Sequence, residues 1–176
     1  MQKLLHVGCG PKGSLPAEYK NYKEVRLDID KSVDPDIVNS IVNMVDVKDS
    51  EFDMIYSSHN IEHLHLFDVE KALIEFKRVL KNGGHVNIAC PNLKEVAKYI
   101  AIDKINIILY ESPAGPITPL DVLYGHVGMT ANNVFMQHKS GFTASSLAYY
   151  LENAGFKDVH VREDGFNLLA TAEVQK

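Results

Sequence analysis

The sequence is poor in cysteine and has no long apolar run. Its two cysteines, Cys9 and Cys90, stand at the ends of predicted strands, and the N-terminus lacks a secretory leader pattern. We therefore expect thiols in a cytoplasmic protein rather than a disulfide. The longest apolar stretch, residues 99–110, is interrupted by Asp103 and Lys104 and is too short to cross a membrane. A membrane-spanning protein is therefore not expected.

Positive charge is also scarce. The formal net charge is −5, so a nucleic-acid partner, which requires a basic surface, is not expected. The 176 residues are 45% hydrophobic and 23% charged, as in ordinary globular proteins. This length predicts a single domain, residues 1–176, with a substantial core.

A glycine loop near the N-terminus is the most informative segment. The apolar run Leu4–Val7 has the length of a buried strand and stops at Gly8 and Gly10. Glycine can adopt positive φ, and without Cβ atoms it lets a ligand lie against backbone amides. The loop therefore predicts a site for a nucleotide-like cofactor.

The glycine spacing also allows a dinucleotide-binding interpretation. Gly8, Gly10 and Gly13 spell G-x-G-x-x-G, and Asp28 follows at the required distance. That fingerprint needs a helix that begins inside the loop and faces a pyrophosphate. Two prolines leave only one or two predicted helical turns, at Ala17–Tyr22, so an NAD-dependent oxidoreductase is the weaker alternative.

Several segments together carry a family resemblance. Residues 4–10 read Leu-Leu-His-Val-Gly-Cys-Gly, and Arg-Leu-Asp-Ile-Asp follows at 26–30. Phe-Asp-Met-Ile-Tyr-Ser-Ser at 52–58 and the double-glycine passage at 80–92 come in the same order. These segments resemble class I S-adenosylmethionine-dependent methyltransferases, especially the small methyltransferase type 11 group. The resemblance implies a methyltransferase that uses S-adenosyl-L-methionine.

The same resemblance implies the fold. It is a Rossmann-like, seven-stranded, mostly parallel sheet with an antiparallel last strand and helices on both faces. The predicted strands are Leu4–Val7, Glu24–Ile29, Asp36–Ile41, Phe52–Ser58, His85–Cys90, Phe156–Arg162 and Asn167–Val174. The predicted helices are one capped by Asp68 and ended by Asn82-Gly83-Gly84, then Lys94–Ile108, Pro119–Tyr124 and Thr143–Ala154.

Residues 93–142 are longer than this sheet plan requires. Inserts of this length are usually lids or partner surfaces. The chain begins at the first strand, without the N-terminal helices that cover the substrate in many relatives. We therefore expect the insert to act as a lid, and it is also the place where an oligomer contact could form.

The resemblance implies a set of cofactor contacts. Asp28 would bind the ribose hydroxyls and the Gly8–Gly10 backbone the amino-acid end of the cofactor. At His6 the family often has an acidic residue that holds the cofactor's ammonium group, so a charged histidine there would weaken binding. The full expected set is His6, Val7, Gly8, Cys9, Gly10, Asp28, Ile29, Asn39, Ser40, Ser57, Ser58 and His59.

One short pattern suggests different chemistry. His59, Glu62 and His63 spell H-x-x-E-H, the inverted zinc-protease signature. That signature needs a long helix and a further downstream ligand, whereas this segment directly follows a strand. It also resembles the family's Glu-His-Leu segment, so we expect it to line the cofactor's methionine end, and we expect no metal.

The acceptor is expected to be a small-molecule or glycan-like hydroxyl. The fourth strand is not followed by the Asp/Asn-Pro-Pro-Tyr sequence typical of enzymes that methylate amino groups of adenine or glutamine. An oxygen nucleophile needs a general base, for which histidine is suited. The candidate bases are His59, His63, His126 and His138, and the candidate substrate contacts are Tyr124, His126 and His138. A non-catalytic module that keeps the fold and uses the insert as a protein interface is the main alternative.

Overall fold

A seven-stranded sheet forms the centre of the molecule, whose computed structural model describes residues 1–131 and 133–176. Its strands are β1 (Lys3–Val7), β2 (Lys23–Asp28), β3 (Ile37–Val38), β4 (Phe52–Ser58), β5 (Leu80–Pro91), β8 (Lys157–Asp164) and β9 (Asn167–Glu173). Two short strands, β6 (Tyr110–Ser112) and β7 (Gly115–Ile117), pair separately as a hairpin. The strand order is β3-β2-β1-β4-β5-β9-β8, with β1 to β5 parallel and β9 antiparallel to both neighbours. The predicted sheet is confirmed.

The main core lies between one face of this sheet and two helices. The helices of the chain are α1 (Leu66–Val79), α2 (Leu93–Ile100), α3 (Pro119–Tyr124), α4 (Val127–Thr130) and α5 (Ala144–Asn153). The apolar stripe of α1 is buried, as its helical spacing predicts, and packs with α5 against the sheet. Phe76, at the centre of that stripe, is fully buried.

The opposite face of the sheet carries much less cover. The segment expected as a helix, Ala17–Tyr22, forms only a 3₁₀ turn, Ala17–Tyr19. The Tyr19 hydroxyl accepts a hydrogen bond from Asn87 Nδ2 at 3.1 Å, which fixes this turn over β5. Thr171, although on the interior strand β9, is exposed. On this face a turn replaces the helix that the fold class implies.

Two predicted helix boundaries are wrong. Asp68 does not cap α1, because the helix begins two residues earlier and the Asp68 N–H already donates to His65 O. In the first turn its carboxylate pairs instead with Lys71. The helix expected at Lys94–Ile108 ends at Ile100, because Asp103 takes a left-handed conformation (φ 56°) and stops it.

The segment Asn82-Gly83-Gly84 does not end helix α1 as expected. Helix α1 ends at Val79, and Leu80 already pairs with Phe52 as the first residue of β5. The glycines form an irregularity in this pairing, after which His85 pairs with Met54. Gly83 has φ 73°, a left-handed conformation that glycine adopts without strain. The glycines thus bend a strand rather than end a helix.

The connection between β3 and β4 has no helix. Of the strand expected at Asp36–Ile41, only Ile37–Val38 pairs with β2. The following residues are fixed by Arg78 of α1, whose guanidinium donates to Met44 O at 2.9 Å and Val47 O at 2.8 Å. Side-chain hydrogen bonds therefore order this loop.

The two ends of the insert lie side by side. Asn92 forms an isolated parallel bridge with Phe142, and the Leu93 N–H donates to Phe142 O at 3.0 Å. Within the insert, Val96, Ile117 and Val122 form a small second core that packs near the β8–β9 turn. The insert therefore has a closed base and its own apolar centre.

Two predictions from composition can be compared with the fold. Cys9 and Cys90 are both buried and unpaired in the part of the chain that the structure describes. Among the same residues, no helix is long and apolar enough to cross a membrane.

Candidate active site

A cavity of about 560 Å³ opens where β1, β2 and β4 end. The carboxyl ends of parallel strands are the usual ligand site in open α/β sheets. Its walls come from the glycine loop, the end of β2, the segment after β3, the turn after β4 and the second half of the insert. Its volume is in the range of small-molecule and cofactor sites.

The glycine loop approaches the cavity closely. Gly8 has φ 61°, and a Cβ at this position would lie 2.4 Å from Cγ of Asn60. Only glycine fits there without displacing the amide side chain. The Asn60 Nδ2 is buried and has no hydrogen-bond partner among the described residues. The loop and this amide form a cradle with a donor available to a ligand.

Asp28 orders the loop from the end of β2. Its Oδ2 accepts the Gly10 N–H and its Oδ1 accepts the Asp30 N–H, both at 2.9 Å. A carboxylate has about four acceptor positions, so two remain for ligand hydroxyls. Asp30 caps the next turn by accepting the Ser32 N–H, as a turn-forming residue, and it also lines the cavity.

Arg26 joins the two loops on either side of Asp28. It is only 7% exposed, and its guanidinium donates to Gly10 O, Val33 O and Asp34 O. Val33 is part of the cavity wall. The shape of this wall therefore depends on a buried arginine that does not reach the cavity itself.

The expected cofactor residues divide into two groups. Those that line the cavity are Gly8, Gly10, Asp28, Ile29, Asn39, Ser40 and His59. Those that lie outside its described lining are His6, Val7, Cys9, Ser57 and Ser58. The strand period explains the second group, because Val7 and Ser57 are buried within the sheet and successive side chains alternate between its faces.

His6 points to the thinly covered face of the sheet. Its ring is 3% exposed, and Nδ1 lies 2.8 Å from Glu24 Oε1 and the ring 5.3 Å from that of Tyr56. Burial lowers the pKa of His6, against the effect of Glu24. A neutral ring turned away from the cavity does not repel a cationic cofactor, which removes the expected penalty and the main support for a non-catalytic module.

The individual insert residues that line the cavity were not predicted from the sequence. Met129, Asn133, Phe135, Met136 and Lys139 all line it, although the sequence predicted the insert only as a lid. The apolar residues of the insert were the signal in the sequence that could have pointed to this wall. The structure leaves several of them partly exposed.

Histidines from distant segments meet beside the cavity. His59 and His63 line it, and His138 comes in from the end of the insert. His59 Nδ1 lies 3.3 Å from Glu62 Oε1. Glu62 is 1% exposed and shares a cluster with His63 and His138 in which one ligand atom from each lies within 4.8 Å of the others. Of the four candidate bases, three therefore surround one buried carboxylate.

The Glu62 carboxylate and the His59 ring shift each other's pKa values. Glu62 raises the pKa of His59, against burial. Burial raises the pKa of Glu62, but His59 and His63 outweigh it and hold that pKa below its ordinary value. Glu62 is thus a buried anion that favours proton uptake by its neighbour.

The remaining substrate candidates lie apart from the cavity. The Tyr124 side chain is 65% exposed, and His126 begins α4. Neither belongs to the described lining of the cavity, and His138 reaches only the histidine cluster. Gly125, between Tyr124 and His126, has φ 91°, a positive value that suits glycine.

A larger groove of about 940 Å³ lies elsewhere, along β5, β9 and β8. Tyr19, Tyr56 and Asn87 line it, on the face that has little helical cover. It contains none of the glycine loop, Asp28 or the histidine cluster. Size alone does not make it the active site.

The cavity fits S-adenosylmethionine better than a dinucleotide. Asp28 keeps acceptor positions for ribose hydroxyls, and Asp28 and Asp30 offer negative charge to a cofactor that carries a sulfonium and an ammonium group. A pyrophosphate would need a helix that starts in the glycine loop, and only the 3₁₀ turn Ala17–Tyr19 follows it.

Comparison with known proteins agrees with this fit. Residues 5–88 match the family model described as a methyltransferase domain. A methyltransferase from Archaeoglobus fulgidus, described as SAM dependent, aligns with a TM-score of 0.65 at 16% identity over 98% of this chain and 86% of its own. The corresponding values for an S-adenosylmethionine dependent methyltransferase from Mesorhizobium loti are 0.66, 14%, 98% and 90%. A search of curated proteins found no match.

The fold, the cavity and the family match define a class of enzyme. Residues 5–88 match a methyltransferase domain, and the chain as a whole shares the fold of S-adenosylmethionine-dependent methyltransferases. The domain match and these neighbours imply S-adenosyl-L-methionine as the cofactor. The NAD-dependent alternative is therefore set aside.

Proposed function

We propose that this enzyme methylates an oxygen atom of a small-molecule or glycan-like acceptor, with His59 as the general base. The observation that carries the proposal is that His59, on the cavity wall, lies beside the buried Glu62. A buried carboxylate close to a histidine stabilises the protonated ring and so favours proton uptake by that histidine. The cofactor already carries an activated methyl group, so alignment and removal of the acceptor proton are the tasks left to the protein.

The backbone at His59 supports this role. His59 has φ 47°, which is unfavourable for a residue with a Cβ, and its N–H donates to Ala89 O at 2.9 Å. Strain of this kind costs about 1–3 kcal/mol and is concentrated at functional sites. The side chain is 48% exposed, so an acceptor can reach it.

The cofactor contacts are proposed from the same cavity. Asp28 would accept the ribose hydroxyls, the Gly8–Gly10 backbone and Asn60 would hold the amino-acid end, and Asn39 with Ser40 would lie near the adenine. Asn39 Nδ2 donates to Asp46 at 3.0 Å. Asp46 would therefore position the Asn39 amide rather than contact the adenine directly.

The test is methyl transfer from S-adenosylmethionine to a panel of hydroxylated small molecules and glycans, with matching amines, read as S-adenosylhomocysteine release. With an accepted hydroxyl substrate, His59→Gln should lower kcat by about 10²–10⁴-fold. His160→Gln, an exposed histidine on β8, is the matched control and should retain activity. Wild-type kcat in His59→Gln would exclude it as the base, and turnover with amines alone would overturn the oxygen acceptor.

A further inference from the structure

Glu62 is a buried carboxylate without a hydrogen-bond donor. It is 1% exposed, and neither of its oxygens has a hydrogen-bond partner among the described residues. His59 Nδ1, at 3.3 Å, is within ion-pair distance of Oε1 but is not aligned for a hydrogen bond. Burying an ionised carboxylate is unfavourable unless a cation or several donors compensate it. The neighbouring histidine rings compensate this charge in part, but both carboxylate oxygens keep acceptor positions that no described donor fills.

Two histidine rings face the same carboxylate with one nitrogen free. Nδ1 of His63 lies 3.1 Å from Gln137 O, and Nδ1 of His138 lies 2.8 Å from Val122 O. A carbonyl oxygen can only accept, so each Nδ1 carries a proton, and in the neutral ring the lone pair is then on Nε2. Metal-binding histidines are usually fixed in this way, with the second nitrogen donating to a carbonyl or carboxylate.

The backbone fixes the same residues relative to one another. The N–H groups of Lys139 and Ser140 both donate to Glu62 O, at 2.8 and 3.1 Å, and the His138 N–H donates to Tyr124 O at 3.2 Å. The end of the insert is thus attached to the 3₁₀ turn Ile61–His63 that carries Glu62 and His63. The arrangement is preorganised by bonds that do not involve the three side chains' free atoms.

We propose that Glu62, His63 and His138 bind one divalent transition-metal ion of the zinc type. The ligand atoms lie within 4.8 Å of one another, and an ion with bonds of about 2.0–2.2 Å would draw them closer. Two imidazoles and one carboxylate suit zinc, and three protein ligands leave a fourth position open. His63 also lines the cavity, so the ion site would adjoin it.

The site differs from the zinc-protease pattern that the sequence suggested. His59 and His63 do not coordinate together from one long helix, because the segment is a single 3₁₀ turn. The third ligand comes from His138, at the other end of the insert. An open position beside the cavity can bind the acceptor oxygen and lower its pKa, and this role, unlike the ion site itself, rests on the proposed function.

The test is zinc binding by the full chain, purified without a polyhistidine tag and treated with a chelator. Titration of Zn²⁺ against a chromophoric chelator should give one ion per chain, and Co²⁺ should give the intense visible absorption of a tetrahedral site. Glu62→Gln, His63→Gln and His138→Gln should each weaken zinc binding by at least about 10–100-fold. His160→Gln should bind as the wild type does.

Several results would overturn the ion site. They are a wild-type chain that binds no zinc, and zinc affinity unchanged in His63→Gln and His138→Gln. These two variants alter partly exposed rings, so they decide the matter even if Glu62→Gln does not fold. S-adenosylhomocysteine is titrated into the same samples. Cofactor binding without zinc binding refutes only the ion site, whereas zinc binding without turnover of hydroxyl acceptors refutes only the proposed acceptor.

Discussion

Gly8 is the residue at which the cofactor loop tolerates least change. A Cβ there would lie 2.4 Å from Asn60 Cγ, and the positive φ adds strain. We expect Gly8→Ala to displace Asn60, to destabilise the fold by about 1–3 kcal/mol and to weaken S-adenosylhomocysteine binding. Thermal unfolding and calorimetric titration measure the two effects.

Gly13→Ala is the matched control for this prediction. Gly13 also has a positive φ, 85°, but a Cβ added there would have no described atom within 4 Å. The control should show the backbone strain without the loss of ligand binding. Equal cofactor affinity in both variants would contradict the role assigned to Asn60.

The buried ring of His6 is expected to contribute to the pH dependence of the free energy of unfolding. Because burial lowers its pKa in the folded state, the unfolded chain binds more protons between that lowered pKa and about 6.5. The free energy of unfolding should therefore fall as pH decreases from 6.5 through this window. Glu24, at 2.8 Å, opposes the effect and Arg26 adds to it, so the slope reports their balance.

Denaturant unfolding between pH 7 and pH 5 tests this prediction. His6→Gln should have a shallower dependence on pH than the wild type, since the substituted side chain does not titrate. The exposed His160 again provides a control, His160→Gln, whose pH dependence should match the wild type. A His6→Gln slope identical to the wild-type slope would contradict the assignment.

At the scale of elements, the insert adds the apolar side chains of Met129, Phe135 and Met136 to a cavity whose other walls follow the sheet strands. Phe135 lines the cavity and is 44% exposed, so a bound cofactor can cover more of it. We expect Phe135→Ala to weaken S-adenosylhomocysteine binding by about 10-fold, from the loss of about 1–2 kcal/mol of apolar contact. Val134→Ala, at a neighbouring residue 65% exposed and outside the described cavity lining, should leave affinity unchanged.

The comparison of these two variants is made by calorimetry at one temperature. Equal losses would mean that the segment acts through its fold rather than through Phe135. If both variants bind S-adenosylhomocysteine as tightly as the wild type does, Phe135 does not contact the bound cofactor product.

For the whole molecule, binding of the cofactor product should stabilise the fold selectively. S-adenosylhomocysteine at 100 times its Kd should add about 2.7 kcal/mol to the free energy of unfolding, and NAD at the same concentration should add nothing. Asp28→Ala should lose the effect, because Asp28 orders Gly10 and offers the ribose acceptors. Equal stabilisation by NAD would contradict the fit described for the cavity.

Individual strands were predictable as short apolar runs, whereas their order in the sheet was predicted from the family resemblance. The predicted strands Leu4–Val7 and Phe52–Ser58 are both present and pair in parallel. Helix ends were less predictable, since Asp103 stops α2 through a backbone conformation that its sequence does not require. Glu62 and His138 meet only because the insert returns to the turn after β4, and no local pattern encodes that return.

The closed base of the insert has a consequence for evolution and engineering. Because Asn92 and Phe142 are already paired, the residues between them can change in length or sequence at little cost in loop-closure entropy. The sheet that carries the glycine loop and Asp28 and the insert that completes the cavity wall are then separable modules. Exchange of inserts between relatives would be a direct route to new acceptors on an unchanged sheet.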